Sequence, residues 1–132
     1  MGTLDRHLGL TPDVSPNARG FQKSFGFLPG CGNHFNWEPQ FADAENTLFL
    51  TSDDFWMNND TPIDRKKDLP EDFYSSNFFT NKLIDFLENR TGEEKEKPFF
   101  SYLAYTAPHW PMQAPRDIIE KYRMFSPEGK MC

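Results

Sequence analysis

The stretch Pro98–Pro115 constrains the fold more tightly than any other: Pro-Phe-Phe-Ser-Tyr-Leu-Ala-Tyr-Thr-Ala-Pro-His-Trp-Pro-Met-Gln-Ala-Pro. Phe99–Tyr105 is an apolar and aromatic run without Gly or Pro. It predicts one buried strand and is too short for an ordinary helix. Pro108, Pro111 and Pro115 then fix φ and withhold three backbone donors, so the chain must leave the sheet as a stiff loop. His109 stands at the mouth of that loop, at the carboxyl end of the strand. Ligands of open α/β sheets bind in the crevice beyond that end, which makes an ionisable group there a candidate for chemistry. Spacing alone favours a plainer reading, in which His109 hydrogen-bonds a neighbouring carbonyl and stacks on Trp110.

Composition sets the limits of what surrounds this stretch. With 132 residues and 15.4 kDa the chain makes one domain at most. Hydrophobic residues are 37% and aromatic residues 16%, with 14 Phe, so the core is expected to be aromatic rather than branched aliphatic. A net charge of -6 and a pI near 5.0 exclude a basic face for nucleic acid. No run has the apolar length of a transmembrane segment, and the first residues lack the basic-then-apolar order of a signal peptide. Cys31 and Cys132 are too few and too distant for a metal clip or a disulfide framework. Asn59-Asp60-Thr61 and Asn89-Arg90-Thr91 match the glycosylation acceptor pattern, a short pattern that chance produces often.

Along the chain, Thr11–Phe35 has loop composition, with Gly20, Gly26, Gly30 and Gly32 among Pro12, Pro16 and Pro29. Leu48-Phe49-Leu50 is a short apolar run. Asp53-Asp54 after it invites a metal reading, but two adjacent carboxylates in a polar loop are usually just solvated. Asp60–Asp72 reads as an exposed connection. Phe73–Arg90 is the clearest helix. Ser75, Ser76 or Asn77 can cap it, Phe79, Leu83, Ile84, Phe86 and Leu87 form its stripe, and Gly92 is placed to end it. A second helix is expected over Arg116–Phe125, with Pro115 at its first position.

Several of these stretches share their wording with one family. Phe99–Pro115 resembles the segment of arylsulfatases, of the formylglycine-dependent sulfatases in the alkaline-phosphatase-like superfamily, in which a strand delivers a substrate-binding histidine. His7-Leu8-Gly9 is similar to the end of the family's Gly-Lys-Trp-His-Leu-Gly, although Asp5 and Arg6 stand where the family has Lys and Trp. Asn17-Ala-Arg-Gly-Phe21 and Leu28-Pro29-Gly30-Cys31-Gly32-Asn33-His34 resemble the family's Arg-Gly-Phe and Leu-Pro-Gly-x-Gly-Asn-His order. Leu69–Ser76 looks like its approach to the helix. The resemblance implies an α/β fold, a partial piece of the sulfatase sheet sandwiched by helices. Residues 1–132 would be an incomplete central part of a catalytic domain, with its best match over 7–123.

The resemblance also assigns roles. His109 would bind a sulfate oxygen and help protonate the departing alcohol or phenol, a task suited to an imidazole of ordinary pKa near roughly 6.5. His7 would contact the hydroxyl of the hydrated formylglycine, and His34 would be a substrate-binding residue on the pocket rim. From the residues alone, His7 reads as solvated and His34 as hydrogen-bonded within its loop. The complete family enzyme uses a divalent cation, Ca or Mg, and a formylglycine made from Cys within Cys-x-Pro/Ser-x-Arg. Neither Cys31 nor Cys132 lies in that pattern, and the family's Asp-Asp sits near the domain start and precedes Gly, unlike Asp53-Asp54. No metal ligand or cofactor is therefore expected in this chain, and no turnover by it alone. Its partner in the complete enzyme would be a small sulfate ester. The competing reading is a non-catalytic interaction or regulatory remnant, with exposed sheet edges favouring self-association.

Overall fold

The computed structural model describes residues 2–3, 11–29, 32–35, 56–109 and 111–123. His7, Cys31, the Leu48–Leu50 run, Asp53-Asp54 and Cys132 lie outside them. The architecture is mixed helix and sheet, in agreement with the α/β expectation. Its strands are β1 (Gly2–Thr3), β2 (Phe25–Phe27), β3 (Trp56–Asn58), β4 (Thr61–Pro62) and β5 (Tyr102–Leu103). Its helices are α1 (Arg65–Asp68), α2 (Ser75–Glu88), α3 (Gly92–Lys95) and α4 (Arg116–Arg123). Two short 3-10 turns, Pro12–Val14 and Asn17–Arg19, precede β2. No helix among the described residues is long and apolar enough to cross a membrane.

β2, β3 and β4 form an antiparallel sheet in that order, with Phe25 opposite Asn58, Phe27 opposite Trp56, and Met57 opposite Pro62. β3 and β4 are joined through Asn59 and Asp60. Asn59 adopts the left-handed conformation at φ 58, which Asn tolerates better than most residues. Its Oδ1 accepts from the Ser24 N–H at 2.9 Å, and its own N–H donates to the Ser24 carbonyl at 2.8 Å, which locks the turn to the start of β2. The loop composition of Thr11–Phe35 thus conceals a strand. Phe25 and Phe27, on one side of β2, both pack on Trp56, and Gly26 between them presents no side chain to the other side.

The core is aromatic, as the composition predicts. Phe25, Phe27, Trp56, Phe73 and Phe79 are buried with Leu69 in one cluster, and Phe78, Phe86 and Leu103 pack against it. Trp56 meets the edge of Phe73 at 5.3 Å and 87° and lies 5.0 Å from Phe27, geometries in which ring quadrupoles attract. The expected exposed connection Asp60–Asp72 is partly ordered instead. It contains β4 and α1 and buries Arg65 and Leu69, because Leu69 is needed to close the aromatic cluster.

α2 lies where the periodicity predicts it, but both of its ends differ from expectation. Tyr74 is the N-cap and offers no side-chain cap bond. The Ser75 N–H donates to the His34 carbonyl at 2.8 Å, so a neighbouring loop caps the helix in place of Ser75, Ser76 or Asn77. Gly92 does not terminate α2; it is the first residue of α3, which Thr91 caps in a reciprocal box with Glu94. α4 starts from Pro115, whose carbonyl accepts from the Ile119 N–H at 3.0 Å.

β5 is shorter than the expected strand. Only Tyr102 and Leu103 pair, in parallel with Gly2 and Thr3. Phe99, Phe100, Tyr102 and Tyr105 are exposed rather than buried. Among the described residues β5 has one partner strand, and an aromatic run is buried only where other layers cover it.

Candidate active-site loop

Beyond β5 the chain turns at Thr106–His109, where the His109 N–H donates to the Thr106 carbonyl at 2.9 Å. Thr106 and Pro111 are buried, Ala107-Pro108 is a cis peptide, and His109 is exposed at the tip. The proline spacing therefore does what its chemistry requires. Buried flanks hold the turn, and the His109 imidazole is exposed at the carboxyl end of β5.

His34 lies behind this turn rather than on a rim. Its ring is 2% exposed. Nδ1 is 2.9 Å from Ser75 Oγ at the first turn of α2, and Nε2 is 3.4 Å from the His109 carbonyl oxygen. A carbonyl only accepts, so Nε2 carries the proton and Nδ1 accepts from the Ser75 hydroxyl. Its backbone N–H donates to Gln113 Oε1 at 2.8 Å. Gln113 continues the tie, because its carbonyl accepts from the Tyr74 hydroxyl at 3.4 Å, and the Tyr74 ring packs on Phe35 at 5.1 Å. Three segments distant in sequence are fastened at one residue: loop 32–35, the start of α2, and the turn that carries His109.

The electrostatics of this knot follow from burial. Desolvation, helped by the nearby His109, holds the His34 pKa below its ordinary value, against an opposing pull from the His109 and Pro111 carbonyls. Gly32 lets the loop approach the core. A Cβ there would stand 2.3 Å from Cε1 of the buried Phe27 ring, closer than any real contact.

Of the three histidines that the sequence marks, the structure brings His34 and His109 together, one beneath the other. Gln113 and Ser75 enter the sequence reading only as a residue of the proline-rich loop and a cap candidate, because their bonds to His34 depend on contacts 79 and 41 residues away. Among the described residues no three His, Cys, Asp or Glu side chains converge as a cation site would need, so no chemistry of a cation is derived from them.

The sulfatase family model matches residues 17–131. An uncharacterized sulfatase of Schizosaccharomyces pombe is 50% identical over 123 residues, covering 93% of this chain and 21% of that protein. The arylsulfatase of Klebsiella aerogenes is 32% identical over 117 residues, covering 89% of this chain and 23% of that protein. The crystal structure of Ps i-CgsB superposes with a TM-score of 0.56 at 28% identity, over 92% of this chain and 26% of that one. The same protein in complex with k-i-k-neocarrahexaose gives a TM-score of 0.54. The chain thus spans about a fifth to a quarter of the length of these relatives. A knotted histidine loop at the end of a sheet strand, and a family match over most of the residues, lead to one conclusion: the chain belongs to the sulfatase family, as a part of its domain.

Proposed function

We propose that this chain supplies the leaving-group side of a sulfate-ester hydrolase site, with His109 as the residue that meets the ester. The observation that carries the reading is the placement of His109, exposed on a rigid turn at the carboxyl end of β5 and anchored from behind by the buried His34. An imidazole so held can donate a hydrogen bond to a sulfate oxygen and pass a proton to the departing oxygen. His34 then acts as a positioning residue for that turn rather than as a substrate ligand, since both of its ring nitrogens are already engaged within the protein. His7 belongs to the same proposal on its motif alone.

The complete enzymes of the family are metal-dependent, and by resemblance their nucleophile is a formylglycine that this sequence does not encode. We therefore expect no turnover by the chain alone. Purified chain and its His109→Ala variant are incubated with 4-nitrophenyl sulfate and released sulfate is measured. The expected result is no release above that variant. Release by the unmodified chain that the substitution removes would overturn the inactivity.

A further inference from the structure

At the amino end of β5, away from His109, a cleft of about 590 Å³ opens between the 3-10 turn that ends at Arg19, the segment after α2, and the residues that lead into the strand. That volume suits a small molecule. Arg19, Lys23, Arg90 and Lys97 line the cleft beside one carboxylate, Glu94, in a chain whose net charge is -6. Among the described residues none of these cations forms an ion pair. The Glu94 carboxylate is committed to the box on α3, where it accepts from the Thr91 N–H at 2.7 Å. Lys23 Nζ lies 3.5 Å from the Asn89 carbonyl oxygen, a neutral acceptor that leaves the ammonium charge uncancelled. Cations gathered in a cleft without counter-charge raise the local concentration of anions.

Arg90 is already fixed in place. Its Nε donates to the Leu87 carbonyl at 3.3 Å and Nη1 to the Glu94 carbonyl at 3.4 Å, and the guanidinium stacks 4.6 Å from the centre of the Phe99 ring. A guanidinium so held has little rotamer freedom left to lose on meeting an oxyanion, and both protons of Nη2 remain to be given. Phe21 and Phe100, 6.0 Å apart and inclined at 48°, supply apolar lining beside these charges.

We propose that this cleft binds an organic oxyanion, a sulfate or carboxylate carried on an apolar ring. Arg19, Arg90 and Lys97 surround the anionic group, and Phe21 and Phe100 take the ring. The cleft and His109 stand at opposite ends of β5, so this is a second site and does not depend on the role of His109.

The test titrates the chain with 4-nitrophenyl sulfate and, separately, with 4-nitrobenzoate, following the Arg90 Nε–H and the Phe21 and Phe100 rings by NMR. At least one probe is expected to shift all three to saturation. Inorganic sulfate, which lacks the ring, and 4-nitrophenyl glucoside, which lacks the charge, are expected to bind at least about tenfold more weakly. Arg19 and Lys97 are exposed, so Arg19→Gln with Lys97→Gln should leave the amide spectrum folded and weaken binding by at least about tenfold. Lys97→Arg should retain binding, and His109→Ala should leave the cleft response unchanged. The proposal is overturned if neither probe shifts these resonances, or if inorganic sulfate or the neutral glucoside binds as tightly as the aryl anions. It is overturned equally if the response survives the double substitution or disappears with His109→Ala.

Discussion

The His34 imidazole, in a residue only 2% exposed with one ring nitrogen facing a hydroxyl and the other a carbonyl, is biased toward its neutral form by burial. Neutral His34 satisfies both partners; protonating it carries a desolvation cost, although the Ser75 hydroxyl could turn to accept. The sign of the pH effect follows. The folded pKa lies below 6.5 and the unfolded one near it, so only the unfolded chain takes up this proton as pH drops. This contribution leaves stability undiminished above pH 6.5 and lowers it as pH falls from there toward the folded pKa. Urea midpoints at pH 7.5 and 5.5 should show that loss, and His34→Gln should flatten it. Glu94 acts in a separate window. Its hydrogen bond from the Thr91 N–H lowers its pKa, so its contribution fades only below about pH 4.5. His34→Ala leaves the His109 carbonyl and the Ser75 hydroxyl without this partner and should cost about 1–3 kcal/mol. Gly32→Ala should cost a similar 1–3 kcal/mol by driving a methyl into the Phe27 ring. Gly92→Ala is its control, because nothing lies within 4 Å of a Cβ there; chemical denaturation of the two variants separates them.

At the scale of elements, the part written in local periodicity was legible in the sequence and the part written in distant contacts was not. α2 follows from its three- and four-residue steps, and Phe79 of its stripe is fully buried. Ile84 of the same stripe is exposed, since a narrow sheet covers only part of the helix. The caps were misread for two reasons. Ser75 spends its hydroxyl on His34, and Thr91 makes a better N-terminus for α3 than Gly92 makes a stop for α2. β2 was hidden because a Phe-Gly-Phe strand of three residues leaves no alternation to count within a Gly- and Pro-rich segment. The proline-bracketed turn was legible, because proline sets φ whatever surrounds it. What anchors that turn was not, since His34, Ser75 and Gln113 meet only in three dimensions. Two predictions belong here. Phe79→Ala should cost about 3–5 kcal/mol in urea titration, as it empties the centre of the cluster. Thr91→Ala should remove the box on α3 for about 1 kcal/mol and leave the His34 region unchanged in amide hydrogen exchange.

At the scale of the whole molecule, two halves of the structure differ in how far they are finished. The antiparallel sheet with α2 closes an aromatic core, against which Leu103 of β5 also packs. β5, paired in parallel with β1, presents Tyr102 to solvent and His109 beyond its carboxyl end. One part carries the aromatic core, and the other carries the histidine. The central claim is that the His109 turn, held by His34, is a sulfate-ester contact. It is tested most directly by following the histidine ring resonances of the chain by NMR as 4-nitrophenyl sulfate is added. The account predicts that the His109 ring shifts with ester concentration, that the buried His34 ring stays in place, and that His34→Ala weakens the His109 response. A His109 ring that is indifferent to the ester, or one that responds equally with His34 removed, would contradict it.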